Sequence, residues 1–357
     1  MRNGSKNQAI RTILILVCLI LTRPCLGTLY YNHPSVRDEN NNTIRSGSIE
    51  RLNSDGTHTT IASGLNNPSG IAFDTLGNLY YGNVITSGPM QLEIFKQTPN
   101  GAITNLCQVR DTSGSVSIGL WTFNIAVGPL GDIFCNHPKI LDENHNTIRS
   151  GSIEKLNFDG THTTIVSGLD KPTGIAFDTI GNMYYGNVTT DSPKQFEIFK
   201  KAPDGIITSL GKHMDPLGTI SGGWALDIAV SPSGDIYYNH PMVINSEHAI
   251  IRMGSIEILN SDGFHTTVVS GLENPNGFTF DAYGNMYYSD VITSGPEQFN
   301  IFMMSPNGTI TNLGQVRDTW GRISAVGFAF DIAVPEPGTL LMLGLGGFIL
   351  YRNRRRD

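Results

Sequence analysis

Cysteine and charge are both scarce in this chain, and each scarcity excludes something. Of 357 residues only four are cysteine, at positions 18, 25, 107 and 135. The first two fall in an apolar leader. That leaves Cys107 and Cys135, too few for a disulfide framework. Charged side chains make up 15 % of the sequence. Between the two ends, residues 28–334 carry 16 Lys and Arg against 29 Asp and Glu, a net of −13. A body that acidic argues against nucleic-acid backbones as partners and leaves cations or neutral ligands open. Long hydrophobic runs are missing too. The terminal apolar runs, 12–22 and 339–351, have 11 and 13 residues, whereas a bilayer-spanning helix needs about 20. No nucleophile elbow, phosphate loop or zinc-protease helix occurs.

What is abundant is glycine, 40 residues, with many aromatic and β-branched positions. That balance favours an all-β fold. The first 27 residues read as a signal peptide: Arg2, Lys6 and Arg11 precede the short apolar run, and Cys25 and Gly27 suit a cut after Gly27.

The body repeats itself. "YYNHP" at 30–34 returns as "FCNHP" at 134–138 and "YYNHP" at 237–241, a spacing of 104 and then 103 residues. "GIAFDTLGNLYYGN" returns as "GIAFDTIGNMYYGN" and "GFTFDAYGNMYYSD". Each copy splits again into two units of four short strands and tight turns, the size of a propeller blade. Three copies of a two-blade repeat predict a six-bladed β-propeller over 28–334. The first copy lacks its innermost strand, and "FAFDIAV" at 328–334 supplies one at the other end. The C-terminal strand is therefore expected to complete the first blade, leaving no exposed edge. Cys107 stands where the other copies have Gly211 and Gly314, and Cys135 where they have Tyr31 and Tyr238. Drift within the repeat explains the two cysteines, with one bridge after export as the alternative.

Two resemblances follow from these residues. The "GLxxPxGIAFDxxGNxYY" stretch resembles the NHL repeat and the blades of SMP-30/gluconolactonase-like propellers. Those folds include scaffolds, binders and enzymes, so function is not implied by fold alone. The tail is more specific. Pro335, Glu336 and Pro337, the apolar run 340–350 and the basic cluster Arg352, Arg354, Arg355 and Arg356 resemble the PEP-CTERM sorting signal. That resemblance implies a Gram-negative bacterium, an exosortase that cuts near Pro-Glu-Pro, and a surface or matrix destination associated with extracellular polysaccharide. Residues 335–357 are then a short transmembrane helix with a basic cytoplasmic end, a transient inner-membrane anchor.

Propeller geometry puts the long loops on one face, here called the top. At the top of alternate blades, Asn124, Asp227 and Asp331 open the innermost strands, and His137, His240 and His33 close the second strands. Two readings stand for this set. It is a ligand site for a sugar or for a divalent cation such as Ca²⁺, or it is a copied set of strand-end hydrogen bonds. His58, His162 and His265 read as turn-flanking surface residues. The acidic loops at 38–42 and 142–146 lack the glycine and terminal Glu of an EF-hand and read as solvated. In gluconolactonase-like propellers a channel metal is held by a Glu, two Asn and an Asp. "NPNGFTFD" resembles one of those segments and puts Asn276 at an Asn position, beside Asp227 and Asp331 as metal candidates. No Glu matches in the first blade. The expectation is a non-catalytic surface or matrix module engaging a polysaccharide or protein, with a metal-dependent lactone hydrolase as the alternative.

Overall fold

The computed structural model describes residues 28–335, apart from 38–41, 86–90, 111–122, 138, 143, 145, 158, 190–194, 215–218, 221–225, 241, 245–246, 248, 261–262, 293–297, 318–321 and 324–330. The leader, most of the sorting tail and most of the long top loops lie outside these residues. No helix occurs among the described residues.

Six four-stranded antiparallel sheets stand around a central channel. Blade 1 orders Ile332–Ala333, Leu29–His33, Gly47–Leu52 and His58–Leu65 from channel to rim. Blades 2 to 6 follow in chain order over 67–110, 125–169, 171–214, 228–272 and 275–317. Closure is as the repeat arithmetic predicts: Ala333 pairs with Tyr30, and Ile332 with Tyr31.

The core is a ring of six seams, one between each pair of neighbouring blades. The doubled aromatics of "LYYGN" and "YYNHP" explain it. Successive strand residues point to opposite faces. So Tyr80 packs into the seam with blade 3 and Tyr81 into the seam with blade 1. Tyr184 and Tyr185 divide in the same way, as do Tyr287 and Tyr288. The turn after each innermost strand of the even blades is fixed by one aspartate. Asp74 Oδ1 accepts the N–H groups of Leu76 and Asn78 at 3.0 and 2.8 Å, and Oδ2 accepts Asn78 Nδ2 and the Tyr80 hydroxyl. Gly77 completes this turn at φ +78°, a conformation that suits glycine. Asp178 and Asp281 repeat the arrangement.

Neighbouring blades also touch through glycine and proline. A Cβ on Gly151 would sit 2.7 Å from Pro172 Cδ, and Gly47 and Gly254 face Pro68 and Pro275 in the same way. Gly151→Ala is therefore expected to lower stability by about 1–3 kcal/mol, the usual effect of overpacking, read as a drop in thermal midpoint. An unchanged midpoint would show that the Pro172 ring moves freely.

One seam departs from the pattern. In blades 1 and 5 a buried tyrosine hydroxyl meets a histidine at the rim: Tyr31 with His58 Nδ1 at 2.8 Å, and Tyr238 with His265 Nδ1 at 2.7 Å. In blade 3 the tyrosine is Cys135. Cys107, across the seam, brings its sulfur to 3.5 Å from His162 Nε2. Both thiols are buried and free in one cluster, and burial raises Cys107 to about 11. A lost ring on one side is thus offset by a gained side chain on the other. The three histidines do more than flank turns: each takes a buried donor or sulfur as partner.

Candidate functional site at the channel mouth

The innermost strands line a mostly polar channel of about 240 Å³, and at the lower ends of those strands the rings of Phe73, Phe177 and Phe280 pack against Tyr30, Phe134 and Tyr237 of the preceding blade. Asn124, Asp227 and Asp331 stand at the upper end, each opening the innermost strand of an odd blade. Asn124 Nδ2 donates to Asp227 Oδ1 at 3.4 Å, and the two aspartates are close enough for one charge to raise the other's pKa.

The three residues tie blades together. Asp331 Oδ2 accepts the N–H of Ile71 in blade 2 at 2.9 Å, and Oδ1 accepts that of Ile332 at 2.9 Å. Asp227 Oδ2 accepts the N–H of Phe278 in blade 6 at 3.1 Å, and Oδ1 that of Ile228 at 2.9 Å. Asn124 Oδ1 accepts the N–H of Ile175 in blade 4 at 3.2 Å. Desolvation pushes Asp227 up to about 6 and raises Asp331 well above its ordinary range, where the charge of Asp227 adds to the effect. Two desolvated carboxyls side by side disfavour the doubly charged state.

Behind them is a second layer that the sequence reading overlooked. Asn32, Asn136 and Asn239 of the "NHP" motifs accept the N–H of Asp331, Asn124 and Asp227 at 2.5, 2.7 and 2.5 Å. Their Nδ2 groups donate to the carbonyls of Pro68, Pro172 and Pro275 in the next blade. Each asparagine is at most 1 % exposed. The signal was its threefold recurrence beside the histidine that drew attention.

The histidines face a different neighbourhood. His33 Nδ1 lies 2.8 Å from the carbonyl of Pro34, Arg45 donates to its Nε2 at 3.0 Å, and its ring meets Phe299 edge-on. His240 meets Phe196 likewise. His137 is buried. Arg45 also pairs with Glu50 at 3.0 Å, and Arg149 with Glu154 at 2.8 Å. These arginines end the short exposed strands Thr43–Arg45 and Thr147–Arg149, which with Ile250–Arg252 belong to three similar hairpins between the second and third strands of the odd blades, on the top face.

The even blades contribute Ser69, Thr173 and Asn276 at one equivalent position. Ser69 donates to the carbonyl of Phe123 at 2.8 Å. Thr173 Oγ1 and Asn276 Oδ1 are buried without a hydrogen-bond partner. Asn276 is thus the better of two unsatisfied donors for a cation. A metal site of the gluconolactonase kind nevertheless does not fit the rest of the set. The channel carboxylates are taken up by backbone N–H groups, and the positions equivalent to Asn276 in the other even blades hold Ser69 and Thr173 rather than a second Asn or a Glu.

Comparison with known proteins separates tail from body. Residues 333–356 match the PEP-CTERM protein-sorting motif, which implies export, sorting toward the surface and processing by an exosortase. No curated protein matches the chain significantly. Among solved structures, the PQQ-bound aldose sugar dehydrogenase of Streptomyces coelicolor is similar with a TM-score of 0.50 at 13 % identity, over 77 % of this chain and 95 % of that one. A protein assigned as a gluconolactonase is similar with a TM-score of 0.48 at 15 % identity, over 81 % and 94 %. At such identities the likeness concerns the propeller fold alone. Among the described residues no helix is long and apolar enough to cross a membrane. The apolar run of the tail lies outside them.

Proposed function

We propose that this chain is an exported propeller that acts at the cell surface or in the extracellular matrix as a binding or structural module. The observation that carries the reading is how the channel acids are used. All four carboxylate oxygens of Asp227 and Asp331 accept backbone N–H groups of innermost strands, two of them in another blade. Groups committed to closing the ring are poorly placed to move protons on a substrate.

Binding then belongs to the top face. Three similar hairpins repeat on the top face, and Ile44, Ile148 and Ile251 stand exposed at equivalent positions on them. A threefold set of equal contacts suits a ligand that repeats, which favours a polysaccharide over a compact protein. Asn124, Asp227 and Asp331 form the floor of the channel mouth, and His33, His137 and His240 lie buried behind it among other neighbours. Residues 1–27 serve as the signal peptide and 335–357 as the temporary membrane handle. The apolar run sits in the inner membrane, with Arg352 and Arg354–Arg356 on the cytoplasmic side, until an exosortase cuts near Pro335-Glu336-Pro337.

A second reading, a metal-dependent lactone hydrolase, has the unpartnered oxygen of Asn276 on its side. Thermal unfolding of metal-stripped protein with and without Ca²⁺ or Zn²⁺ decides between them. A cation at about 100 times its dissociation constant would add roughly 2.7 kcal/mol. The binding-module reading expects no such gain. A gain that disappears in Asp227→Ala or Asn276→Ala would overturn it in favour of the hydrolase. Co-sedimentation with the extracellular polysaccharide in chelator is the positive test, and absence of binding there counts against the polysaccharide.

A further inference from the structure

The face opposite the channel mouth exposes apolar side chains in an ordered way. The turns joining first to second strands surround the lower end of the channel. Their tips stand in solvent: Leu76 is 65 % exposed, Leu130 93 %, Ile180 76 % and Tyr283 62 %. Further out on the same face, Ile206 and Phe264 are exposed beside the third-to-fourth turns. The turns do not need these residues. Asp74, Gly77 and Asn78 make the turn that carries Leu76, and Asp178 and Asp281 make those of Ile180 and Tyr283. Apolar groups gathered on one face mark a contact surface.

The chain leaves from that same face. Ile332–Ala333 runs down the channel wall from Asp331 at the mouth, and Val334 and Pro335 follow at the lower end. Only Glu336, Pro337, Gly338 and Thr339 separate Pro335 from Leu340, the first residue of the apolar run. Five extended steps of at most about 3.6 Å put Leu340 within about 18 Å of Pro335. The headgroup layer on each side of a bilayer takes up roughly 6 Å of that distance. A propeller tethered so closely has little room to stand away from the surface, and the face it turns toward the membrane is the one its tail leaves.

We propose that, while the tail is attached, the propeller rests on the membrane with this face down. Leu76, Leu130, Ile180 and Tyr283 sit among the lipid headgroups, and the three hairpins of the top face point away. This rests on reading the tail as a membrane handle. The orientation presents the binding face outward before the cut and leaves the scissile Pro-Glu-Pro segment at the lipid boundary.

The test uses the full chain, exported in a bacterium without an exosortase so that the tail stays on. Single cysteines are placed at the bottom (L130C, and separately I180C) and at the top (I44C). Spheroplasts are then treated with an impermeant maleimide, with wild type as the background for the buried native thiols. Exposure alone predicts fastest labelling at 130, because Ile44 is only 46 % exposed against 93 % for Leu130. The proposal expects the reverse, with L130C and I180C at least tenfold slower than I44C. Labelling at 130 and 180 as fast as at 44, in chain retained after a carbonate wash, overturns the proposal and leaves the tail reading intact. Chain released by the wash overturns both. Protection must also persist when the full chain is reconstituted in vesicles of phosphatidylethanolamine and phosphatidylglycerol. Protection lost on that transfer would assign the face to a protein partner and overturn the lipid assignment.

Discussion

Asp331→Ala is expected to destabilise the propeller by about 3–5 kcal/mol, the largest effect foreseen for a single change. The carboxylate accepts two backbone N–H groups, one from its own strand and one from Ile71 in blade 2. Alanine leaves both donors without that acceptor in a site where Asp331 itself is 6 % exposed, and each orphaned group costs about 1–3 kcal/mol. The thermal midpoint should fall by on the order of 10 °C. Asp331→Asn should be much milder. It retains one oxygen and removes a charge, and blade 3 already has Asn124 in this role. A loss under about 1 kcal/mol for the alanine variant would mean that the pairing of Ile332 and Ala333 with blade 1 closes the ring unaided.

The second large effect concerns pH. Desolvation raises Asp227 to about 6 and raises Asp331 in the same sense. Asp290, buried under the backbone N–H groups of Glu273 and Asn274, is also raised by desolvation to about 6. A carboxyl whose pKa is higher folded than unfolded favours folding when it is protonated in both states. That favour is complete below the unfolded value near 4 and is lost as pH rises through the folded value. The protein should therefore become more stable as pH is lowered from 8 to about 5, opposite to a protein dominated by salt-bridged acids. For Asp227 the difference between its two values corresponds to about 3 kcal/mol. Below pH 4 other groups act the other way. Hydrogen bonds from the Thr57 and Thr161 hydroxyls and N–H groups hold Asp55 and Asp159 below the usual range, so stability turns down again. Midpoints measured from pH 4 to 8 check the window. Asp227→Asn combined with Asp331→Asn should flatten most of the slope, and a wild-type midpoint that falls on going from pH 8 to 5 would refute the burial of these charges.

Much of this architecture could be read from the residues, for a definite reason. Period-two alternation and tight-turn glycines are local, and a threefold copy repeats each signal, so blade count and the closing strand followed from spacing. The placement of Asn124, Asp227 and Asp331 at the start of innermost strands also followed from the repeat, but that His33 and His240 of the same blades turn to Arg45, Phe299 and Phe196 did not. What these groups bond to did not follow. Their partners are backbone N–H groups in other blades, and a backbone N–H leaves no mark on a sequence. The same limit hid Asn32, Asn136 and Asn239, whose acceptors are proline carbonyls 36 residues on. The cysteines taught a different lesson. Cys107 and Cys135 looked like unrelated departures because they belong to different copies of the repeat. Packing puts them on two sides of one seam, Cys107 where the other copies have Gly and Cys135 where they have Tyr. The sorting tail was legible by composition, and the matched motif at 333–356 agrees.

The joining of Ile332–Ala333 to Leu29–His33 sets an order in time. A ribosome makes the first of these strands near the start of its work and the second near the end, about 300 residues later. Five blades have all their strands before residue 332 is made, but the first cannot be finished until Ile332–Ala333 has followed. Blade 1 is therefore the last blade to be completed. A chain that ended before residue 332 would be an unlatched ring with a raw sheet edge, so the last strand made is also the clasp of the whole circle.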